Sequence, residues 1–136
     1  MFVLDASVAA TWIFEDETDA STDALLKCLH IDGAVAPDIW ILEVSNLLLM
    51  AERRQRLAPD KKEEMAEFLM SLPLEVVPVS LAVALGKIMP LAQRERLTAY
   101  DAAYLYLAMQ QGIAIATLDG DLRAAAARNG VAVLPA

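Results

Sequence analysis

Four carboxylates stand where a folded chain has little reason to keep a charge: Asp5, Glu43, Asp101 and Asp119. Asp5 closes the apolar run Phe2-Val3-Leu4, and Asp119 follows the run from Ile113 to Thr117 and Leu118. Glu43 interrupts the apolar segment around Trp40, Ile41, Leu42, Val44 and Leu47, while Asp101 sits in the first turn of another. Charge near a core is costly unless it is paired or bound to a metal. One shared divalent cation accounts for all four. Mg2+ (or Mn2+) takes oxygen ligands and binds through a few carboxylates plus water. Such a site can activate water against a phosphodiester and stabilise the leaving oxygen.

Each acid also has an ordinary role open to it. Asp5 can cap the following helix, although Ser7 serves that purpose as well. Glu43 can face solvent, yet Asn46 lies one turn on, at i+3 on the same face. Thr98-Ala99-Tyr100-Asp101 has the form of a capping box with Asp in place of Glu. Asp119 and Asp121 flank Gly120, as in an Asp-Gly turn leading into a helix.

The absent groups narrow the chemistry. One His (His30) and one Cys (Cys28) cannot build a Cys/His zinc site. The two are read as structural. No Gly-rich phosphate loop is present, and no serine has a His partner for a Ser-His-Asp hydrolase.

The elements that position these residues alternate between strand and helix. Strands are expected at Phe2–Leu4, Gly33–Ala36, Glu75–Val79, Ile113–Thr117 and Val131–Leu134. Helices are expected at Ser7–Phe14, Thr18–His30, Asp38–Gln55, Pro59–Leu72, Ser80 to about Gln93, Ala99–Gln111 and Gly120–Arg128. Pro78 marks an edge or an end of its strand. Pro90 kinks or ends its helix. The strands are short apolar runs without alternation, as in a parallel sheet covered on both faces. Ligands of such sheets bind beyond the strand carboxyl ends, at the topological switch point. Asp5 and Asp119 lie at two such ends.

A length of 136 residues fits a single domain. With 57% hydrophobic and 22% charged residues the chain is globular rather than disordered. The longest apolar stretch, Ile39 to Met50, is too short and too polar to span a membrane. Without a basic leader or paired cysteines, a cytoplasmic location is expected. The net charge of −8 argues against a general nucleic-acid binder. Basic residues do cluster at Arg53, Arg54, Arg56, Lys61 and Lys62, and again at Lys87, Arg94 and Arg96. Most of these are read as solvated helix ends and faces.

Val3-Leu4-Asp5-Ala6-Ser7, Glu43-Val44-Ser45-Asn46, Leu97 to Tyr104 and Thr117-Leu118-Asp119-Gly120-Asp121-Leu122 resemble, in order and spacing, the PIN-domain family. More narrowly they are similar to VapC-type toxins of type II toxin–antitoxin pairs. The resemblance covers essentially the whole chain, 1–136, as one PIN domain. It implies a three-layer α/β/α sandwich around a parallel sheet of about five strands, Mg2+- or Mn2+-dependent endoribonuclease activity, a cognate antitoxin protein and frequent homodimers. It also implies that Asp5, Glu43, Asp101 and Asp119 are the catalytic, metal-holding quartet. Ser7, Asn46, Thr117 and Asp121 would support them.

Two other classes compete. A phosphatase or phospho-acceptor domain would show Asp-x-Asp after the first strand, where this chain has Asp5-Ala6-Ser7, or paired acids there and a Lys after the last strand. A non-catalytic PIN-like module would use apolar helix surface around Trp12, Phe14, Trp40 and Leu47–Met50 to hold a partner. Core packing is the ordinary reading of most of those side chains.

Overall fold

A computed structural model describes residues 1–136. Five strands, β1 (Phe2–Leu4), β2 (Ala34–Pro37), β3 (Leu74–Val77), β4 (Ala114–Ala116) and β5 (Val133–Leu134), form one parallel sheet in the order β3-β2-β1-β4-β5. β1 is central, pairing Val3 with Val35 of β2 and Leu4 with Ala116 of β4. The order turns back on itself at β1. The chain builds outward through β2 and β3, then crosses to β4 and β5 on the other side.

Right-handed crossovers place the connecting helices on opposite faces. α1 (Ala6–Ile13), α2 (Ala20–Asp32), α3 (Ile39–Arg53) and α4 (Pro59–Ser71) pack together in one layer. α6 (Met89–Glu95), α7 (Ala99–Gln111) and α8 (Gly120–Arg128) form the other. The result is the expected α/β/α sandwich. α7 lies against β1, β2 and β4. Its Ala102, Ala103 and Ala108 allow close approach, and its Tyr104, Leu105 and Leu107 fill the core with Leu4, Leu29, Ile115 and Leu122.

The helix signals act through named side chains. Asp19 caps α2 by accepting from Ser21 N–H, so the helix begins at Ala20 rather than at the expected Thr18. Thr98 caps α7, and Asp119 caps α8. Gly112, in the left-handed region, ends α7. The expected helix from Ser80 is capped by Ser80, but it is not regular. A short α5 (Leu81–Val83) runs into a π-helical turn at Ala84–Ile88 before α6. Pro90 has no N–H to give the Gly86 carbonyl, and its ring crowds that carbonyl. The wider turn just ahead of it avoids the conflict, so the expected kink takes the form of a π-bulge.

β3 is an edge strand and stops at Val77, short of the expected Val79, because Pro78 cannot extend the ladder. β5 is shorter than expected at its start. Phe14, Trp40 and Leu48 are buried, whereas Leu49 is exposed, as are Ile41 and Leu42. Cys28 and His30 both lie exposed on α2, so neither contributes to the core expected of a structural residue. No helix is long and apolar enough to cross a membrane.

Candidate functional site

The switch point between β1 and β4 opens into a cleft of about 340 Å³, lined by Asp5, Ser7, Glu43, Asn46, Asp101 and Asp119 together with Ala6, Ala10 and Leu47. The four acids, far apart in sequence, therefore share one lining. No Lys, Arg or His reaches it.

Asp5 continues the β1–β4 ladder, donating its N–H to the Ala116 carbonyl at 3.0 Å. It occupies the N-cap position of α1, yet its carboxylate makes no capping bond. Ser7 does not cap the helix either, contrary to the expectation that it could. Its Oγ donates to Asp5 Oδ2 at 2.6 Å and accepts the Leu118 N–H at 2.9 Å. Thr117, fully buried, does the same from β4: Oγ1 donates to Asp5 Oδ2 at 2.7 Å and accepts the Asp119 N–H at 3.1 Å. Both hydroxyl protons are thereby committed to one carboxylate oxygen. Asp5 Oδ1 takes no bond from the protein and is left to the cleft.

Glu43 comes from α3. Its Oε1 accepts the Tyr104 hydroxyl at 2.6 Å, a bond from the opposite helical layer. Sequence reasoning missed Tyr104. The available signal was its place three residues after Asp101 on an apolar helix, since a buried tyrosine hydroxyl needs a partner. Asp101 N–H donates to Thr98 Oγ1 at 3.1 Å, completing only half of a capping box. No return bond to the Thr98 N–H closes the box; the Asp101 carboxylate stays beside the Thr98 hydroxyl, which partly opposes the rise of its pKa, and lines the cleft. Asp119 has both proposed roles, since Oδ1 accepts the Leu122 N–H at 2.9 Å as a helix cap while the residue lines the cleft. Asn46 is part of the lining, one turn after Glu43. Asp121 is not; it stands exposed in the first turn of α8 and acts on the site only through its charge on Asp101.

Burial raises the Glu43 carboxyl above its ordinary range, and the charges of Asp5 and Asp101 add to that. The Tyr104 hydrogen bond opposes it in part. Asp101 is raised by burial and by the charges of Asp119, Asp5 and Asp121. The Tyr104 hydroxyl is pushed far up by burial and by Glu43, so it stays a donor. Three helix N-termini, those of α1, α7 and α8, meet at Asp5, Asp101 and Asp119. Their dipoles offset part of the negative charge.

No three acidic side chains are drawn to direct-ligand spacing around one point. The donor set nevertheless fits a hard cation. It consists of oxygen, it is crowded with like charge that a cation would relieve, and the cleft has room for an ion that keeps several waters.

A parallel sheet in this order, with a carboxylate cleft at its switch point, defines a class. The PIN domain family model matches residues 2–128, and the chain belongs to the PIN-domain family. Ribonuclease VapC3 of Pyrobaculum aerophilum is 31% identical over 121 residues, which span 88% of this chain and 90% of that protein. The crystal structure of PAE2754 from Pyrobaculum aerophilum superposes with a TM-score of 0.73 at 23% identity, covering 98% of this chain and 83% of that one. FitAcB from Neisseria gonorrhoeae gives 0.68 at 20% identity, covering 98% and 96%.

Proposed function

We propose that this chain is a VapC-type toxin: a divalent-cation-dependent endoribonuclease acting as one PIN domain over residues 1–136. The observation that carries the reading is the gathering of four carboxylates from four separate elements into one cleft without a protein cation. The 31% identity to a protein named as a ribonuclease supports it. Asp5 and Asp101 are the main holders of Mg2+ or Mn2+, with Glu43 and Asp119 completing the site. When bound, the cation supplies Lewis acidity that offsets phosphate charge and makes water a competent nucleophile at neutral pH.

The chain's own residues do the positioning. Ser7 and Thr117 fix Asp5 Oδ2 and so aim Oδ1 into the cleft. Tyr104 holds Glu43 Oε1, leaving Oε2 for the site. Asp119 is anchored by its helix cap, and Asn46 offers an amide to substrate. The rim location, beyond the strand ends, suits an accessible single-stranded or looped RNA. A cytoplasmic location, an antitoxin partner and a homodimer belong to the same proposal. An antitoxin arginine inserted among the carboxylates would pair with them and displace the cation.

The test is cleavage of a labelled structured RNA pool by wild type and Asp5→Asn, with Mg2+, Mn2+ or EDTA. Cation-dependent cutting that Asp5→Asn loses supports the proposal. Equal cutting by both proteins, or no cutting and no cation binding, refutes it.

A further inference from the structure

α3 carries Glu43, Asn46, Leu47 and Met50 along one face, and Arg54, its C-cap residue, follows eleven positions after Glu43. At 1.5 Å per residue, that stripe runs roughly 16 Å from the acidic cleft to the helix end. It is not flat. A second cavity of about 230 Å³ adjoins the acidic cleft, and the two share Asn46 and Leu47 in their walls. Met50, Arg54, Arg56 and Phe14 complete the second cavity with Ala51.

The two arginines differ. Arg56 Nη2 lies 3.2 Å from Asp16 and 3.1 Å from Glu17, and its guanidinium carbon sits 4.0 Å above the Phe14 ring. Its charge is answered and its side chain forms a wall. Arg54 is exposed and makes no ion pair or side-chain hydrogen bond. On a chain of net charge −8, an unanswered cation facing a cavity continuous with the site is a specific feature.

We infer that this second cavity is an RNA subsite, in which Arg54 takes a backbone phosphate flanking the scissile bond. The inference rests on the ribonuclease reading and names the path of its substrate. A polyanion entering the acidic cleft needs a cation at its approach, and Arg54 is the unpaired one lining the adjoining cavity. Guanidinium suits phosphate because it can donate two parallel hydrogen bonds. Asn46, common to both cavities, stands where the strand would pass from one to the other. Phe14 and Met50 give the cavity an apolar side for a sugar or base.

The test measures binding of a short fluorescein-labelled single-stranded RNA by anisotropy across a salt series, in buffered Mg2+, with Asp5→Asn as the background that prevents cleavage. Adding Arg54→Gln should raise Kd roughly three- to tenfold, the scale of one charge-assisted contact at an exposed position. The slope of log K against log salt should shrink by about 0.7, one phosphate contact on a single strand. Arg54→Lys should recover most of the slope, and melting curves should show that neither change unfolds the protein. In the otherwise wild-type chain, Arg54→Gln should raise KM and leave kcat within about twofold, as expected for a uniform binding contact. Equal Kd and equal slope would overturn the inference while leaving the ribonuclease reading in place, if the chain cleaves. A Kd difference in a chain that cleaves nothing would keep the subsite and sink the ribonuclease. Intact RNA affinity with weakened binding of oligo-glutamate would assign the cavity to an acidic protein partner and overturn the inference.

Discussion

Thr117→Val isolates the hydroxyl on which the site is built. Valine keeps the shape of the side chain and removes only the Oγ1 group, at a position with no solvent exposure. The 2.7 Å donation to Asp5 Oδ2 and the acceptance of the Asp119 N–H at 3.1 Å disappear, together with a longer 3.3 Å contact to Ser7 Oγ, whose proton is already given to Asp5. A hydrogen bond to a charged group contributes about 1.5–3 kcal/mol. The lower end applies to the Asp5 bond, because Ser7 still donates to the same oxygen. The Asp119 N–H borders an exposed residue where water can replace the lost acceptor, so it adds about 0.5 kcal/mol. The sum is about 2 kcal/mol, or roughly 6–8 °C in Tm for a chain of this size. Thr117→Ser is the counterpart. It keeps the hydroxyl and loses one buried methyl, at about 1 kcal/mol. Urea unfolding of the three proteins at pH 7 reads both values. A serine variant less stable than the valine variant would refute the argument, since the methyl would then matter more than the hydroxyl network.

The other expectations concern charge and backbone. Glu43 and Asp101 are raised on folding, so the folded chain holds their protons to higher pH than the unfolded chain. Their contribution to stability is present below the unfolded carboxyl range and is lost as pH rises through the folded values; melting scanned upward from pH 4 without divalent cations should show that decline, and Mg2+ should reverse it. Glu43→Gln should stabilise the cation-free protein at pH 7 by roughly 1 kcal/mol, the order of one relieved like-charge contact in a half-buried site, and should shrink the Tm gain on adding Mg2+; an undiminished gain would remove Glu43 from the cation site. Tyr104→Phe removes a donor to ionised Glu43, so Glu43 should titrate at still higher pH, visible by carboxyl NMR. Gly33→Ala should cost more than Gly112→Ala in thermal melts. Gly112 is left-handed with open space where a Cβ would go, at about 1 kcal/mol. Gly33, at φ 77 and ψ 177, occupies a region close to glycine-only, and its Cβ would press on the Pro73 carbonyl.

Much of this arrangement was legible in the amino acids. The apolar runs ending in Asp5 and leading to Asp119 mark strand ends, and a parallel sheet brings strand ends to one rim. That logic also brings in Asp101, in the first turn of α7, and Glu43, in the second turn of α3. What stayed hidden depends on contacts between distant segments. Ser7 reads locally as a helix cap, and only the pairing of β1 with β4 shows that its hydroxyl serves Asp5 and Leu118 instead. Tyr104 reads as core, and its bond to Glu43 needs two helices from opposite layers to meet. Asp121 looks equivalent to Asp119 across Gly120. The turn into α8 sends one residue to the cleft and the other to solvent. Pro90 promises a break, while the choice of a π-helical turn depends on how the segment packs against α7.

The central place of β1 also governs when the site can exist. The bond from Thr117 to Asp5 spans 112 positions, and β4 pairs with a strand made long before it. Parallel pairing over such a separation has a high entropic cost of closure and forms late. At roughly 5–20 residues per second, a ribosome holds the first strand for several seconds before its partner emerges. Until then β1 has an open edge where β4 will lie, Asp5 lacks one of its two donors, and Asp101 and Asp119 have yet to reach it. The cleft is therefore a late product of folding, assembled only when β4 and the start of α8 join a strand made 112 positions earlier.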